Sequence, residues 1–245
     1  MGDQKAFASS IARIDPITVI TDKLRPMGIC TQNTHLVEWF SYLNGTMQPS
    51  VYNLLRGAGP THPVYPGTGV VHRVMYTKEQ PNACGESPGN WGFVDFDGGS
   101  NGTGDIRSWI KDGYKTHSIE VDDCNADNTT PSEWCPANTG AISGSIESAL
   151  TGIIGVSFPL PLFDQARGSG SGTDYHVVGF LGVTLRGFEV SGAEADRYFD
   201  LEFTTLMGKG RCCTKPGAGM QDGGVRVVRL CSVDHDPISE TTRCR

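Results

Sequence analysis

Hydrophobic and polar positions alternate most clearly in the last third of the chain. YHVVGFLGVTLRGFEV (175–190) is a long run of strand formers, with glycines where bulges or bends belong. YFDLEFTTLM (198–207) sets Phe199, Leu201 and Phe203 on one side and Asp200, Glu202 and Thr204 on the other. VRVVRLCSV (225–233) alternates in the same way, as do VVHRVMYT (70–77) and WGFVDF (91–96). Helical spacing is confined to short stretches. Leu36, Trp39, Phe40 and Leu43 share a face in HLVEWFSYL (35–43), with Thr34 as the expected N-cap. Further short helices are expected over 50–56, ended by Gly57, over 105–111, capped by Asp105, and over 145–154. Residues 1–29 hold no sustained period beyond a short strand and turn in VITDKLRPMGI, and 57–69 and 112–142 read as loop. The expected fold is mainly β with short α-helices (α+β), built as a disulfide-stapled antiparallel sheet or sandwich. With no linker and no internal repeat, residues 30–245 form one β-rich domain after an N-terminal segment, 1–29.

Composition sharpens that picture. The 245 residues include 32 glycines and 14 prolines, nearly double the usual glycine share of roughly 7%, which implies many turns. Eight cysteines stand at Cys30, Cys84, Cys124, Cys135, Cys212, Cys213, Cys231 and Cys244. None forms C-x-x-C, so neither a zinc knuckle nor a dithiol redox site is predicted. An even, scattered set points to disulfides and to an oxidising compartment. Cys124 and Cys135 share one loop and are the favoured local pair. Cys212, Cys213, Cys231 and Cys244 crowd the last stretch and are expected to staple the final strands. A bond between the adjacent Cys212 and Cys213 would be strained, so each is expected to pair elsewhere. Cys30 and Cys84 are then left to each other.

A net charge of −7 and the lack of any basic cluster exclude a nucleic-acid partner. The longest apolar stretch, 152–163, is too short to span a bilayer and contains two prolines. The start, MGDQKAFASSIARIDP, has no apolar signal core, whereas the cysteines ask for export. The two are reconciled if a signal or membrane anchor precedes Met1 in the native protein, which would be the chain's one link to a membrane.

Candidate chemistry is sparse. The turn Asp95-Phe-Asp97-Gly-Gly-Ser-Asn101-Gly-Thr-Gly-Asp105 offers oxygen ligands at alternating positions, and Asp95, Asp97, Asn101 and Asp105 are the candidate calcium ligands. The turn departs from the EF-hand pattern, since Ser108 stands where the bidentate glutamate belongs, and a polar turn that caps backbone amides explains it equally. Beyond this calcium no cofactor is expected. No pair among His35, His62, His72, His117, His176 and His235 has the i, i+4 spacing of a helical metal site. No G-x-S-x-G elbow and no P-loop lysine are present, so neither a hydrolase nor a nucleotide site is predicted. A hydrolase would require His176 or His235 to meet a serine and an acid through the fold alone.

PGNWGFVDFDGGSNGTGDIRSWIKDGY (88–114), PLPLFDQARGSGSGTDYHVVGFLGVTLRGFEV (159–190) and RPMGIC (25–30) together resemble the extracytoplasmic region of TadG-like proteins of bacterial Tad/Flp pilus-assembly systems. The similarity covers roughly residues 25–190. It implies an upstream hydrophobic helix, a body outside the cytoplasmic membrane, and a structural role in pilus assembly or anchoring. The expected partners are other pilus or envelope proteins, and the resemblance brings no catalytic residues. The D-x-S-x-S metal motif of the von Willebrand factor A domain that many relatives carry is absent from this sequence. The expected function is therefore a non-enzymatic structural or assembly protein of the bacterial cell envelope. The alternative is a secreted calcium- or glycan-binding adhesion module using residues 95–105.

Overall fold

The computed structural model describes residues 10–75, 84, 93–98, 102–124, 132–137, 144–168, 172–193, 196–212, 221–236 and 239–244, the side chains of 10–13, 221, 229–236 and 239–244 excepted. The longest alternating run becomes the longest strand, β8 (Asp174–Glu189), and most of the architecture is arranged around it. Before it along the chain come β1 (Ser10–Pro16), β2 (Val19–Ile20), β3 (Ile29–Cys30), α1 (Thr34–Leu43), α2 (Pro49–Asn53) and β4 (Val71–Met75). Then follow α3 (Thr103–Asp112), β5 (Ile119–Glu120), β6 (Trp134–Pro136), α4 (Gly144–Thr151) and β7 (Ser157–Arg167). After β8 the chain forms β9 (Tyr198–Phe203), β10 (Leu206–Met207), β11 (Gly210–Arg211), β12 (Gln221–Gly223), β13 (Val225–Asp236) and β14 (Ser239–Cys244).

The fold is mainly β with a few short helices, as the alternation requires. A seven-stranded sheet runs β3-β7-β8-β9-β4, and β6 and β12 also pair with β8. Most of its ladders are antiparallel, while β3 on β7 and β12 on β8 are parallel. A second sheet holds β1-β13-β10 with β14 on β13, and a small third one runs β11-β2-β5. The register of β8 against β9 slips between Leu185 and Gly187, at one of the glycines of the long run. A Cβ at Gly187 would collide with the Tyr65 hydroxyl, so the bulge makes room for a side chain arriving from a loop. One continuous apolar core extends from Ile17 to Val225, and α3 and α4 pack against each other over part of it.

Several expectations change in detail. Asn33, not Thr34, caps α1: its Oδ1 accepts the His35 amide at 3.0 Å. The described part of WGFVDF is no strand and makes only single bridges, Phe93 to Met27 and Val94 to Ala137. The ladder stops there because Asp95 Oδ1 draws in the amides of Asp97 and Gly98 and turns the chain, with Gly98 at φ +64°. The run 198–207 breaks after Phe203, where the chain leaves β8 and β10 joins β13 in parallel. The loop 112–142 contributes β5 and β6. Strands β1, β2 and β3, all within the first thirty residues, pair with β13, with β5 and β11, and with β7.

Among the described residues two disulfides are present: Cys124–Cys135, the local pair expected from its short spacing, and Cys30–Cys84, the pair left by elimination. They fit a chain that folds outside the reducing cytoplasm. Cys212 is buried, with Sγ 3.9 Å from Asp15 Oδ2. Cys231 and Cys244 are register partners across β13 and β14, and Cys213 lies outside the described residues. No helix among the described residues is long and apolar enough to cross a membrane.

Cys30–Cys84 closes a separation of 54 residues and Cys124–Cys135 one of 11. Chain entropy ranks the first bond at about 4 kcal/mol and the second at about 3 kcal/mol. Replacing both cysteines of a pair by alanine is therefore expected to cost more at 30/84 than at 124/135. Urea unfolding of the two double variants checks the order, and equal or reversed losses would contradict it.

Candidate functional site

His72 lies on the face of β4 that Val70 and Val74 share, and all three are buried. Its side chain is fully shielded from solvent, and Nδ1 has no hydrogen-bond partner. Among the described residues, Arg25 Nε is the other buried side-chain nitrogen in that position. Polar groups in such surroundings are normally satisfied, so an orphan on the core face of a strand calls for an explanation.

The groups around His72 Nδ1 come from two other segments. In α1, His35 and Glu38 stand three positions apart on one helix face, and Glu38 Oε2 lies 3.4 Å from His35 Nδ1. His62 arrives from the glycine- and proline-rich loop between α2 and β4. Its carbonyl accepts the Gly57 amide, its amide bonds the Gly59 carbonyl, and the Arg73 amide donates to the Thr61 carbonyl. Tyr65 ties the same loop to the sheet through a 2.6 Å hydrogen bond to Asp200 Oδ2. Asp200, fully buried, also takes two 2.8 Å bonds from Arg73, its register partner on β4. This bidentate pair fixes β4 on β9 one residue away from His72.

The result is a triangle of imidazoles facing one carboxylate. Ring centroids are 5.0 Å apart for His35 and His62, 5.2 Å for His35 and His72, and 5.0 Å for His62 and His72. Glu38 Oε2 lies 3.3 Å from His62 Nε2 and 3.6 Å from His72 Nδ1. The far sides of two of the rings are also engaged. His72 Nε2 meets the Tyr52 hydroxyl at 2.8 Å, and His62 Nδ1 meets Thr61 Oγ1 at 3.2 Å. Phe203 stacks on His72 at 4.4 Å.

Burial disfavours charge on these rings. It drives the His72 imidazole down to about 2, helped by the nearby His35 and His62 rings, and it lowers His35 as well, against the pull of Glu38. These two imidazoles are therefore neutral at ordinary pH, with a lone pair on one nitrogen of each. Three imidazoles and one carboxylate are donors of the kind that hold a transition metal.

The calcium candidates are arranged otherwise. Asp95 is buried, with Oδ1 accepting amides at 3.1 Å and 3.2 Å, while Asp97 is exposed beside it. Asp105 sits exposed in the first turn of α3, and Asn101 lies outside the described residues. Burial first, and then the adjoining Asp97 carboxylate, push the Asp95 carboxyl up to about 7. His176 has Asp164 at 2.7 Å from Nδ1 and Asp122 at 3.1 Å from Nε2, so neither ring nitrogen is open to a serine hydroxyl. The His235 side chain lies outside the described set.

His35-x-x-Glu38 lacks the i, i+4 spacing of a helical histidine pair, but its i, i+3 spacing is equally good for two ligands on one helix face. No family model matches the chain, and no curated protein or solved structure matches it.

The Asp95 shift has a definite sign. An unfolded aspartate titrates near ~3.9, so between roughly pH 4 and 7 the folded chain holds a proton that the unfolded chain releases. This contribution to stability is complete below about pH 4 and is lost as pH rises through about 7, at no more than about 1.4 kcal/mol per pH unit. Asp95→Asn keeps the Oδ1 acceptor and removes the titration. Urea unfolding at several pH values is expected to show the variant gaining on the parent between pH 5 and 8, and parallel profiles would refute the assignment.

Proposed function

We propose that this protein is a non-enzymatic structural component of the bacterial cell envelope, similar to the TadG-like proteins of Tad/Flp pilus assembly. It folds outside the cytoplasm and works through contacts with other envelope or pilus subunits. The reading is supported by how the three resembling stretches meet one another.

Within RPMGIC, the Arg25 amide donates to the Pro159 carbonyl at 3.0 Å, and the Pro26 carbonyl accepts from Val94 at 2.6 Å. Met27 bridges Phe93, and Ile29 pairs with Leu162 of β7. The Arg25 guanidinium is buried and donates from Nη1 to the Trp109 carbonyl at 3.0 Å, over the ring of Phe158. Burial lowers it to about 10, against the pull of Asp112 and Asp22. Segments distant in sequence are thus joined at one place, largely through backbone groups and a single buried cation. A motif whose residues are engaged inside the protein serves the fold, which fits a body that acts through its outer surfaces. The Cys30–Cys84 bond at the end of RPMGIC adds a covalent tie suited to an oxidising location.

The test is genetic and chemical. In the bacterium that carries the gene, deletion is expected to reduce or abolish surface pili seen by electron microscopy. Cross-linking of the native protein is expected to capture pilus or envelope subunits. Normal pili together with no envelope partner would count decisively against the proposal.

A further inference from the structure

We propose that His35, Glu38, His62 and His72 form a closed, four-ligand site for a divalent cation of the zinc class. The inference rests on the geometry of the cluster and is independent of the assembly reading above.

Distances decide between the two ways of reading the cluster. As a hydrogen-bond network it is poor. A charge-assisted N–H···O⁻ bond closes to about 2.7–2.9 Å, whereas the three nitrogens stand 3.3, 3.4 and 3.6 Å from Glu38 Oε2. As a coordination shell it fits. Ligands bound to zinc at about 2.0–2.1 Å occupy a tetrahedron with edges of about 3.3–3.4 Å. All four ligand atoms lie within 4.8 Å of one another, so closing the His–His edges needs only small side-chain rotations. His72 Nδ1, fully buried and without a hydrogen-bond partner, points its ring at this space, and a metal bond would satisfy it.

The outer groups match a metal site as well. Two of the histidines have a further polar contact, His72 with the Tyr52 hydroxyl and His62 with Thr61 Oγ1, as ligating histidines generally do. Three imidazoles and one carboxylate select zinc and its first-row neighbours over calcium or magnesium, which require shells of oxygen. With four protein ligands no position is left for water or substrate, so the role is structural. The ion would clamp α1 and the loop carrying His62 onto β4, the edge strand of the seven-stranded sheet. Glu38, at 28% exposure the most open of the four side chains, marks the side from which the ion enters.

The experiment uses the full chain with its disulfides intact, stripped with a chelator and dialysed. Titration with Co²⁺ is expected to give the intense visible bands of a tetrahedral nitrogen–oxygen site, saturating at one equivalent and displaced by one equivalent of Zn²⁺. The bands should lack the near-ultraviolet charge transfer of thiolate ligation. Zn²⁺, but not Ca²⁺ or Mg²⁺, is expected to raise the melting temperature. His62→Asn alters a loop position and is expected to weaken zinc binding by at least ~100-fold, and Tyr52→Phe by roughly 10–100-fold. A weak octahedral spectrum, a thiolate band, no saturation at one equivalent, or unchanged affinity in His62→Asn would overturn the proposal. If His62→Asn does not fold, the cobalt spectrum of the parent chain decides alone.

Discussion

The pairing of β7 with β8 is the interaction on which the rest of the fold depends. Their ladder runs from Ser157 opposite Thr184 to Arg167 opposite Asp174, and β8 also carries β9, β6 and β12. A central strand of this kind must satisfy backbone groups on both edges and bury side chains on its faces. It therefore tolerates few substitutions where neighbouring backbone approaches closely. Gly182 is such a place: an added Cβ would overlap the Thr204 carbonyl, whose own amide bonds the Gly182 oxygen. That bond holds the chain at the point where it leaves β9 for the second sheet.

From this core the candidate site follows by short steps. β9 lies on β8, and β4 lies on β9 with Arg73 opposite Asp200. The Arg73–Asp200 pair and the Tyr65 hydroxyl then bring β4 and the preceding loop into one place. Helix α1 is fixed from the other side, through Trp39 Nε1, which donates to the Gly223 carbonyl of β12 at 3.2 Å. Three histidines are thus assembled by a charged pair, a bulge and an indole, none of which is itself a ligand.

How much of this is legible in the sequence depends on the range of the forces involved. β8, β9 and β13 are readable because their alternation is local and sustained, and α1 because Leu36 and Trp39 recur on one buried face. The pairs Cys124–Cys135 and Cys30–Cys84 follow from proximity and elimination. WGFVDF misleads because alternation does not reveal that Asp95 will turn the chain. The histidine cluster is hidden for a different reason. Only His35 and Glu38 are related by helical spacing, while His62 is placed by hydrogen bonds within its loop and His72 by the register of β4 on β9. The contact between Cys212 and Asp15 spans 197 positions and leaves no trace in local pattern.

The Cys30–Cys84 bridge has a consequence for the order in which the molecule matures. His35, Glu38, His62 and His72 all fall inside the segment that it encloses. Once the bridge has formed, the unfolded ensemble of that segment shrinks, and fewer configurations must be surrendered to gather the four side chains. Oxidation and convergence of the histidines are thereby thermodynamically linked: whatever favours one favours the other. In a reducing environment the same residues would meet more rarely, so the compartment in which the chain folds helps to determine whether the cluster is assembled at all.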